Sequence, residues 1–235
     1  MSKIDKELID PIVEPDSEKA HRVTRAAIAA IPVLGGTLVE TFNALIEPPM
    51  AKRKTEWMVE VTQAINELYE KGIVTEKDLQ ENEKFFTILV HASSTAIRNH
   101  EKEKLNALRN AVLNSVLPDA PSDTMQQLFL NLIDFCTSWH IALLKLFQDP
   151  EQWARNNDHH FPSWSMGGIS QVIENAYPQL QKQQALYTLV WKELYRNGLF
   201  NTDSLNTTMT GSGMLAKRTT PIGDAFVKFI SSPNI

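Results

Sequence analysis

The spacing of apolar side chains limits the fold of this chain more than any other feature. From Lys52 to Lys71 these side chains recur every three or four positions, which places them on one face of a helix. That face consists of Trp57, Val61, Ala64 and Leu68, with Met58, Ile65 and Tyr69 beside it. Gly72 follows where a helix C-terminal cap belongs. Because similar segments fill most of the chain, the sequence predicts a mainly α protein with an N-terminal helical bundle.

The same spacing, together with capping residues, predicts further helices over 75–97, 105–116, 124–148, 169–177 and 179–197. Their apolar positions include Phe86, Val90, Leu128 and Phe135. Thr75 with Asp78 three residues later resembles a capping box at the first helix start. Thr220 and Pro221 supply an N-cap and a first helical residue for a last helix that ends near Ile230.

The least polar part of the chain is residues 26–46, AAIAAIPVLGGTLVETFNALI. Pro32, Gly35 and Gly36 interrupt this apolar block, because proline removes a backbone donor and glycine lowers helix stability. The block is therefore predicted to form two short helices joined by a bend, a Pro/Gly-broken hairpin. The pair Pro48–Pro49 is expected to end it.

The length of the apolar block permits a membrane span, since its 21 residues at about 1.5 Å each reach roughly the thickness of the hydrocarbon layer. Glu40 in its interior opposes a stable span at a cost of a few kcal/mol. We therefore expect the block to lie inside a soluble helical body at rest and to reach a membrane only on activation. Lys52, Arg53 and Lys54 would then lie at the lipid headgroups, whereas on the soluble interpretation they form the solvated first turn of a helix.

The net charge of the chain is mildly negative and unevenly distributed. The total is -5, but residues 160–235 hold six Lys or Arg against four acidic side chains, a local charge of +2 that leaves -7 for residues 1–159. Neither part is as basic as a protein whose main task is binding phosphates. The single Cys136 excludes an intramolecular disulfide, and the N-terminus lacks the features of a secretory signal, so a cytoplasmic location is expected.

The domain organisation is predicted from changes in composition. The segments are 1–20 as an N-terminal lead, 21–155 as the helical bundle, 156–167 as a linker and 168–235 as a small α+β domain. Trp153 and Trp164 border the linker and are expected to pack the two parts together rather than to form a recognition surface. Residues 199–219 are rich in Thr and punctuated by Gly, which predicts two short strands around a mobile tip.

Two groups of polar residues invite a chemical interpretation. Cys136 and His140 are four residues apart on the predicted central helix and would share a face, with Asp158, His159 and His160 as the only nearby reserve of metal ligands. We favour the interpretation that Cys136 is a small buried thiol and that His140 is a hydrogen-bonded structural histidine. Neither a metal site nor a cofactor is predicted.

Hydroxyl side chains form the second group. His91 and His100 flank Ser93, Ser94 and Thr95, but an activated serine needs a base within hydrogen-bond reach and a third group that orients the base. Small hydroxyls on a helix are more often packing residues. The sequence contains no P-loop, dinucleotide fingerprint or HExxH motif, so no catalytic residue is predicted, although an enzyme assembled from scattered residues stays an alternative.

The C-terminal segment resembles a winged-helix domain through the phrases LYRNGLF and TTPIGDAFVKFI. The resemblance implies a hairpin wing after a recognition helix, and it covers about seventy residues. A DNA-binding member would direct cations toward phosphates, and Lys182, Lys217 and Arg218 are the candidate contacts. Three cations are few for a surface that binds nucleic acid.

Across most of its length the chain is similar to uncharacterised bacterial proteins of the Abi-alpha type, which are linked to abortive phage infection. The similarity depends on IPVLGG, KRKTEW, NGLF and TPIGDAF. It implies a bacterial origin and a role in conflict with phage. The leading hypothesis is a non-enzymatic helical protein that acts by protein contact or self-association and perturbs membranes on activation. The alternative is a winged-helix transcriptional regulator that binds DNA.

Overall fold

The computed structural model describes residues 36–233, with side chains from Ile46 onward except that of Glu76. Eleven α-helices lie in this part of the chain: α1 (Gly36–Glu70), α2 (Glu76–Gln80), α3 (Glu83–Arg98), α4 (Lys102–Asn114), α5 (Asp123–Phe135), α6 (Ser138–Gln148), α7 (Pro150–Asn156), α8 (Ile169–Ala176), α9 (Gln184–Arg196), α10 (Gly211–Met214) and α11 (Pro221–Ile230). The prediction of a mainly α protein is confirmed. The predicted lead 1–20 and the predicted bend at Pro32 and Gly35 lie outside the described residues.

The described residues contain one small sheet. Strands β1 (Met166–Gly167) and β2 (Met209–Thr210) are antiparallel, and Met166 pairs with Thr210. A separate antiparallel bridge joins Phe200 to Thr219. A 3-10 turn over Pro178–Leu180 lies between α8 and α9.

Helices α1, α3 and α4 pack on one another, α5 packs against α3 and α4, and α11 packs against α4 and α6. Lys84 near the start of α3 pairs with Asp123 at the start of α5, and Arg98 at the end of α3 pairs with Asp134 near the end of α5. These two helices therefore run side by side in the same direction. Phe129 of α5 lies in the core, in ring contact with two phenylalanines of α11.

The core continues across the predicted linker. Its main cluster of buried residues extends from Trp57 to Ile230, with members on both sides of residues 156–167. Trp191 of α9 lies 4.9 Å from the ring of Phe147 and 4.3 Å from that of Phe200, measured between ring centroids. Such aromatic pairs add about 0.5–1.5 kcal/mol to the burial of their surfaces. The division of the chain into domains stays a prediction.

Several helix ends are confirmed. Gly72 and Gly198 both have positive φ and follow α1 and α9, where the backbone bonds form Schellman motifs. Thr75 caps α2, and Asp78 completes the capping box. Thr220 accepts a hydrogen bond from the backbone N–H of Gly223 and caps α11. Pro221 is the first residue of that helix.

The predicted helix end at Pro48–Pro49 is wrong, because α1 continues through both prolines to Glu70. Each proline withholds one backbone donor, so the carbonyls of Ala44 and Leu45 lose their partners within the helix. Both prolines are exposed. The cost of about 3 kcal/mol for each is offset by the packing of the long segment that follows, in which Trp57 and Leu68 are buried.

Two predicted helices are each divided. The segment 75–97 breaks at Glu81–Asn82, and the Asn82 side chain accepts from the backbone N–H of Phe85 to cap α3. The predicted central helix over 124–148 breaks at Cys136–Thr137. The residues around this second break form a polar junction that is described below.

The segment over 179–197 begins later than predicted, because the 3-10 turn precedes α9 at Gln184. The two strands expected within 199–219 do not pair as one hairpin. Strand β2 pairs instead with β1, which precedes α8, and only the single bridge at Phe200 joins the ends of the segment. The glycines of the expected tip lie in α10, whose N-cap Thr210 accepts from the N–H of Gly213. Among the described helices, none combines the length and the apolarity that a bilayer crossing requires.

Candidate functional site

The break between α5 and α6 brings together the residues of a polar junction, which consists of Glu101, Lys104, Cys136, Thr137, Ser138, His140 and Glu193. Lys104, Cys136 and His140 are buried, whereas Thr137 is exposed and the others are half-buried. Cys136 ends α5 and His140 lies within α6, so the two do not share a helix face as predicted. The expected face fails because the chain changes direction between them. His140 is only 3% exposed.

His140 uses both ring nitrogens. The backbone N–H of Thr137 donates to Nδ1 at 3.2 Å, and the Thr137 hydroxyl lies 2.9 Å from the same nitrogen. Nε2 lies 2.9 Å from Oε2 of Glu193 on α9. A backbone N–H is always a donor, so Nδ1 must present its lone pair, and the proton of the neutral ring lies on Nε2 and is donated to Glu193. The histidine thus joins the start of α6 to α9.

The environment of His140 favours its neutral form. Burial lowers the pKa of His140, and the hydrogen bond and negative charge of Glu193 oppose this effect only in part. The nearby positive charge of Lys104 lowers the pKa further. The prediction of a hydrogen-bonded structural histidine agrees with this geometry.

Two residues at the start of α4 complete the junction. Lys104 is 6% exposed, and its Nζ donates to the backbone carbonyl of Asp134 at 2.7 Å, within the last turn of α5. Glu101 accepts from the hydroxyl of Ser138 at 2.6 Å, and this hydrogen bond holds the pKa of Glu101 below its usual value. A cation thus lies at a helix C-terminus and an anion at a helix N-terminus, the favourable pairing with the helix dipole.

Cys136 lies at the junction as a buried thiol. Burial raises its pKa to about 12, so the thiolate that a metal or an electrophile requires does not form near neutral pH. The predicted reserve of ligands is elsewhere: Nε2 of His159 lies 2.9 Å from Oδ1 of Asn175, while Asp158 and His160 are exposed. Within residues 36–233, no three His, Cys, Asp or Glu side chains are grouped to hold a metal ion.

The aromatic residues at the predicted linker form a continuous cluster. The ring of Trp153 contacts those of His159, Phe161 and Tyr177, with centroid distances of 5.5, 6.1 and 5.5 Å. Trp164 continues the cluster through Phe161 at 5.8 Å. All of these rings are half-buried, and the apolar ones pack on the main core. They attach the loop that follows α7 to the body of the protein, as expected for packing residues.

The hydroxyls of α3 are engaged in packing contacts. Oγ of Ser93 accepts from the indole N–H of Trp57 at 2.8 Å, and Thr95 is buried and donates to Asp134. Ser94 and His100 are exposed, and His91 is half-buried. The structure places these residues along α3 and just beyond its end.

The basic residues that the sequence analysis selected differ in how exposed they are to a ligand. Lys52 is exposed and lies 3.8 Å from Glu56, while Arg53 and Lys54 are half-buried on α1. Lys182 is exposed before α9. These positions leave the membrane and nucleic-acid interpretations as proposals.

Lys217 and Arg218 are both engaged within the protein. Lys217 forms an ion pair with Asp224. The guanidinium of Arg218 donates to the carbonyl of Gly213 and contacts the sulfur of Met209, and burial lowers its pKa. Arg218 therefore holds the loop around α10 and does not extend toward a phosphate.

The structure also exposes four large apolar side chains on the neighbouring helices α3 and α5, which the sequence did not separate from the core. Phe86 is 65% exposed and Val90 is 49% exposed, one turn apart on α3. Leu128 and Phe135, seven residues apart on the outer side of α5, are 51% and 46% exposed. We call these four residues the outer apolar surface. The helical spacing that detects a core face also includes these positions, and no signal within one helix distinguishes them.

No protein-family model matches this chain, and no curated protein or solved structure is similar enough to it to count as a match.

Proposed function

We propose that the protein is a non-enzymatic helical protein that acts by contact with another protein, in a phage-defence role of the Abi-alpha type. The observation that carries this proposal is the outer apolar surface, where Phe86 leaves about two thirds of its side chain in water. Covering a large apolar side chain stabilises a complex by about 1.5–3 kcal/mol. Isolated exposed apolar residues are common, but two such residues one turn apart form a continuous ridge on a helix.

The role in defence rests on the sequence resemblance. The phrases NGLF and TPIGDAF, which carry part of that resemblance, coincide with two helix caps at Gly198 and Thr220. The hydroxyl of Thr220 donates to the carbonyl of Gly198, so the two phrases meet in space. They therefore form one structural unit that supports the C-terminal end of the fold.

The test is growth of bacteria that express the protein and are challenged with phage. We expect wild-type cells to stop growing only on infection and to release fewer phage. A Phe86→Ser/Val90→Ser variant should lose this effect, because it removes the apolar ridge without disturbing buried residues. Thr87→Ser is the matched control, since Thr87 is also exposed on α3. Equal phage yields from all strains, including one without the protein, would remove the proposal.

Membrane perturbation on activation is part of the same proposal, and it depends on residues 26–46. The described part of this block, from Gly36 onward, is helical. Leakage of dye from anionic liposomes compares the wild-type protein with Gly36→Asp, which adds a charge at the first residue of α1. Leakage that is absent, or equal for the two proteins, contradicts the membrane contribution.

The second candidate is a winged-helix protein that binds DNA. The order of β1, two helices, the bridge at Phe200 and β2 supports it, because a strand before the helix pair joins a later strand in that fold. Lys182 and Lys192 are exposed near and on α9. Against it, Lys217 and Arg218 are occupied by Asp224 and Gly213.

Fluorescence anisotropy with duplex DNA at several salt concentrations decides between the candidates. A DNA-binding protein should show a steep salt dependence, and Lys182→Gln should lower the slope by about one. Binding that is weak and unchanged by this substitution would remove the second candidate.

A further inference from the structure

We propose that the acidic segment 7–18, ELIDPIVEPDSE, binds the exposed face of α9 in the same chain. The contact goes beyond the proposed function and is independent of it, because it involves neither the outer apolar surface nor a foreign protein. Two observations carry it. One is an exposed helix face that combines an apolar side chain with two cations, and the other is a segment of opposite charge within the chain.

Helix α9 has one buried and one exposed face. The buried face consists of Tyr187, Val190, Trp191 and Leu194. The exposed face consists of Ala185, Leu189, Lys192 and Arg196. These four residues follow one another at intervals of four, three and four positions, so they form one stripe along the helix. Leu189 is 52% exposed. We call this stripe the outer α9 face.

The two cations of the outer α9 face lack an anionic partner. Within residues 36–233, neither Lys192 nor Arg196 forms an ion pair. The one acid of α9, Glu193, is occupied by His140. Other cations of the C-terminal part are paired, for example Lys217 with Asp224. The outer α9 face therefore offers positive charge beside an apolar side chain.

The segment 7–18 has the complementary chemistry. Its acidic residues are Glu7, Asp10, Glu14, Asp16 and Glu18. It contains no Lys or Arg, so its charge is -5, and no other stretch of twelve residues in the chain is as acidic. Its large apolar residues are Leu8, Ile9, Ile12 and Val13. The acids suit the two cations of α9, and the apolar residues suit Leu189.

The chain before α1 is long enough for this contact. The 24 residues from Ile12 to Gly36 span at most about 80 Å. Gly36 lies 21 residues before Trp57, where α1 enters the core, which is about 32 Å along the helix. From α1 the path to α9 crosses α4 and α6, three helix spacings of about 8–10 Å each. The whole path of about 60 Å is shorter than the available chain.

A weak contact is sufficient because both partners belong to one chain. Exposed ion pairs contribute little individually, and salt screens them. A segment linked in this way acts at an effective concentration of about millimolar, so a contact of similar affinity forms in a large part of the molecules. We therefore expect the outer α9 face to be covered at low salt and free at high salt.

Paramagnetic relaxation in the full chain tests the contact. A spin label is attached to Ser17→Cys, and the native Cys136 is buried and stays unlabelled. We expect the amide signals of Leu189, Lys192 and Arg196 to lose intensity at low salt. The signals should recover at about 1 M salt, where the Debye length is about 3 Å. Unchanged signals at low salt would overturn the proposal.

Reversal of charge tests whether the cations hold the segment. Lys192→Glu with Arg196→Glu should abolish the loss of signal at Leu189. Lys102→Glu with Arg155→Glu is the matched control, since both residues are exposed elsewhere and the charge change is the same. A loss of signal that persists after the α9 reversal would overturn the proposal, as would equal effects of the two double variants.

Two further measurements define the contact. Glu14→Lys with Asp16→Lys, added to the α9 reversal, should restore the loss of signal, and a failure to restore it would overturn the charge pairing. A mixture of spin-labelled protein with isotope-labelled protein that carries no spin label separates contacts within one chain from contacts between chains. We expect no loss of signal at α9 in the mixture. A loss as large as in the single chain would assign the contact to a second copy and overturn the proposal.

Discussion

Asn114 on α4 holds the end of the last helix in place, and its removal offers a sharp test of the packing. Its Nδ2 lies 2.8 Å from the carbonyl of Phe229 and 2.8 Å from that of Ser231. Asn110, one turn earlier, donates to the carbonyl of Ile230 at 3.0 Å. Carbonyls at a helix C-terminus lack partners within the helix, so α4 supplies from outside the donors that α11 needs.

Asn114→Ala leaves two of these carbonyls without donors. A polar group left unsatisfied in a buried position costs about 1–3 kcal/mol. The contact to Phe229 is buried and that to Ser231 only partly so, and the free energy of unfolding should therefore fall by about 2–4 kcal/mol rather than twice the full cost. The neighbouring bond from Asn110 remains and limits the movement of α11. Asn110→Ala combined with Asn114→Ala should cost less than the sum of the single effects, because both residues bind the same end of one helix.

Urea denaturation followed by tryptophan fluorescence measures the change. With a slope of about 2–3 kcal/mol per molar urea, the midpoint should fall by about 1 M. Asn106→Ala is the matched control, because Asn106 lies on α4 but is exposed, and it should change stability by less than about 0.5 kcal/mol. Equal stability of the Asn114→Ala and Asn106→Ala variants would refute the assignment of Asn114 as an external cap.

Three further predictions use the same unfolding assay. Phe129→Ala should lower stability by about 3–5 kcal/mol, since the ring is fully buried against α11; a loss below about 1 kcal/mol would contradict this packing. Gly198→Ala should cost about 1 kcal/mol through its positive φ alone, because no atom lies within 4 Å of the added carbon; an unchanged stability would refute the strained cap. Glu101→Gln should weaken the loss of stability in acid, because the pKa of Glu101 is held low in the folded state. The stability that Glu101 contributes is present above its ordinary pKa of 4.5 and is lost as the pH falls below that value. Identical profiles of stability against pH for the variant and the wild-type protein would refute this role.

Local signals in the sequence predict this fold well where a few neighbouring residues decide the structure. Gly72 ends α1 because a positive φ is needed at that point, and Thr75 begins α2 because its side chain reaches a nearby N–H. Thr220 with Pro221 begins α11 for the same reason. Such features depend on short segments, and tertiary packing reinforces them.

The errors arise where distant residues decide the structure. Apolar spacing continues unbroken through Cys136 and Thr137, but Glu101 and Glu193, far away in sequence, stabilise the turn that divides the predicted helix. The partner of β2 is likewise remote, since β1 precedes α8. The spacing of apolar residues is a property of one helix at a time. It therefore does not reveal which apolar face of a helix packs against another helix and which stays exposed.

The same limit applies to the functional residues. Phe86 fits the helical pattern as well as the buried Phe85 and Ile88 do, yet it faces outward. Conversely, the charge of Arg218 and its place in the winged-helix resemblance make it a candidate for phosphate contact, and the structure turns it toward Gly213. Composition identifies what a residue is able to bind, and only the arrangement of the helices shows what it meets.

The central claim is that the outer apolar surface meets a protein partner during phage infection. Site-specific photo-crosslinking in infected cells tests it, with the reactive side chain placed at Phe86 in one strain and at the exposed Lys102 of α4 in another. The account predicts one defined crosslinked species from position 86 that appears on infection and is lost when Val90 is also changed to Ser. Absence of that species, or the same species from position 102, would contradict it.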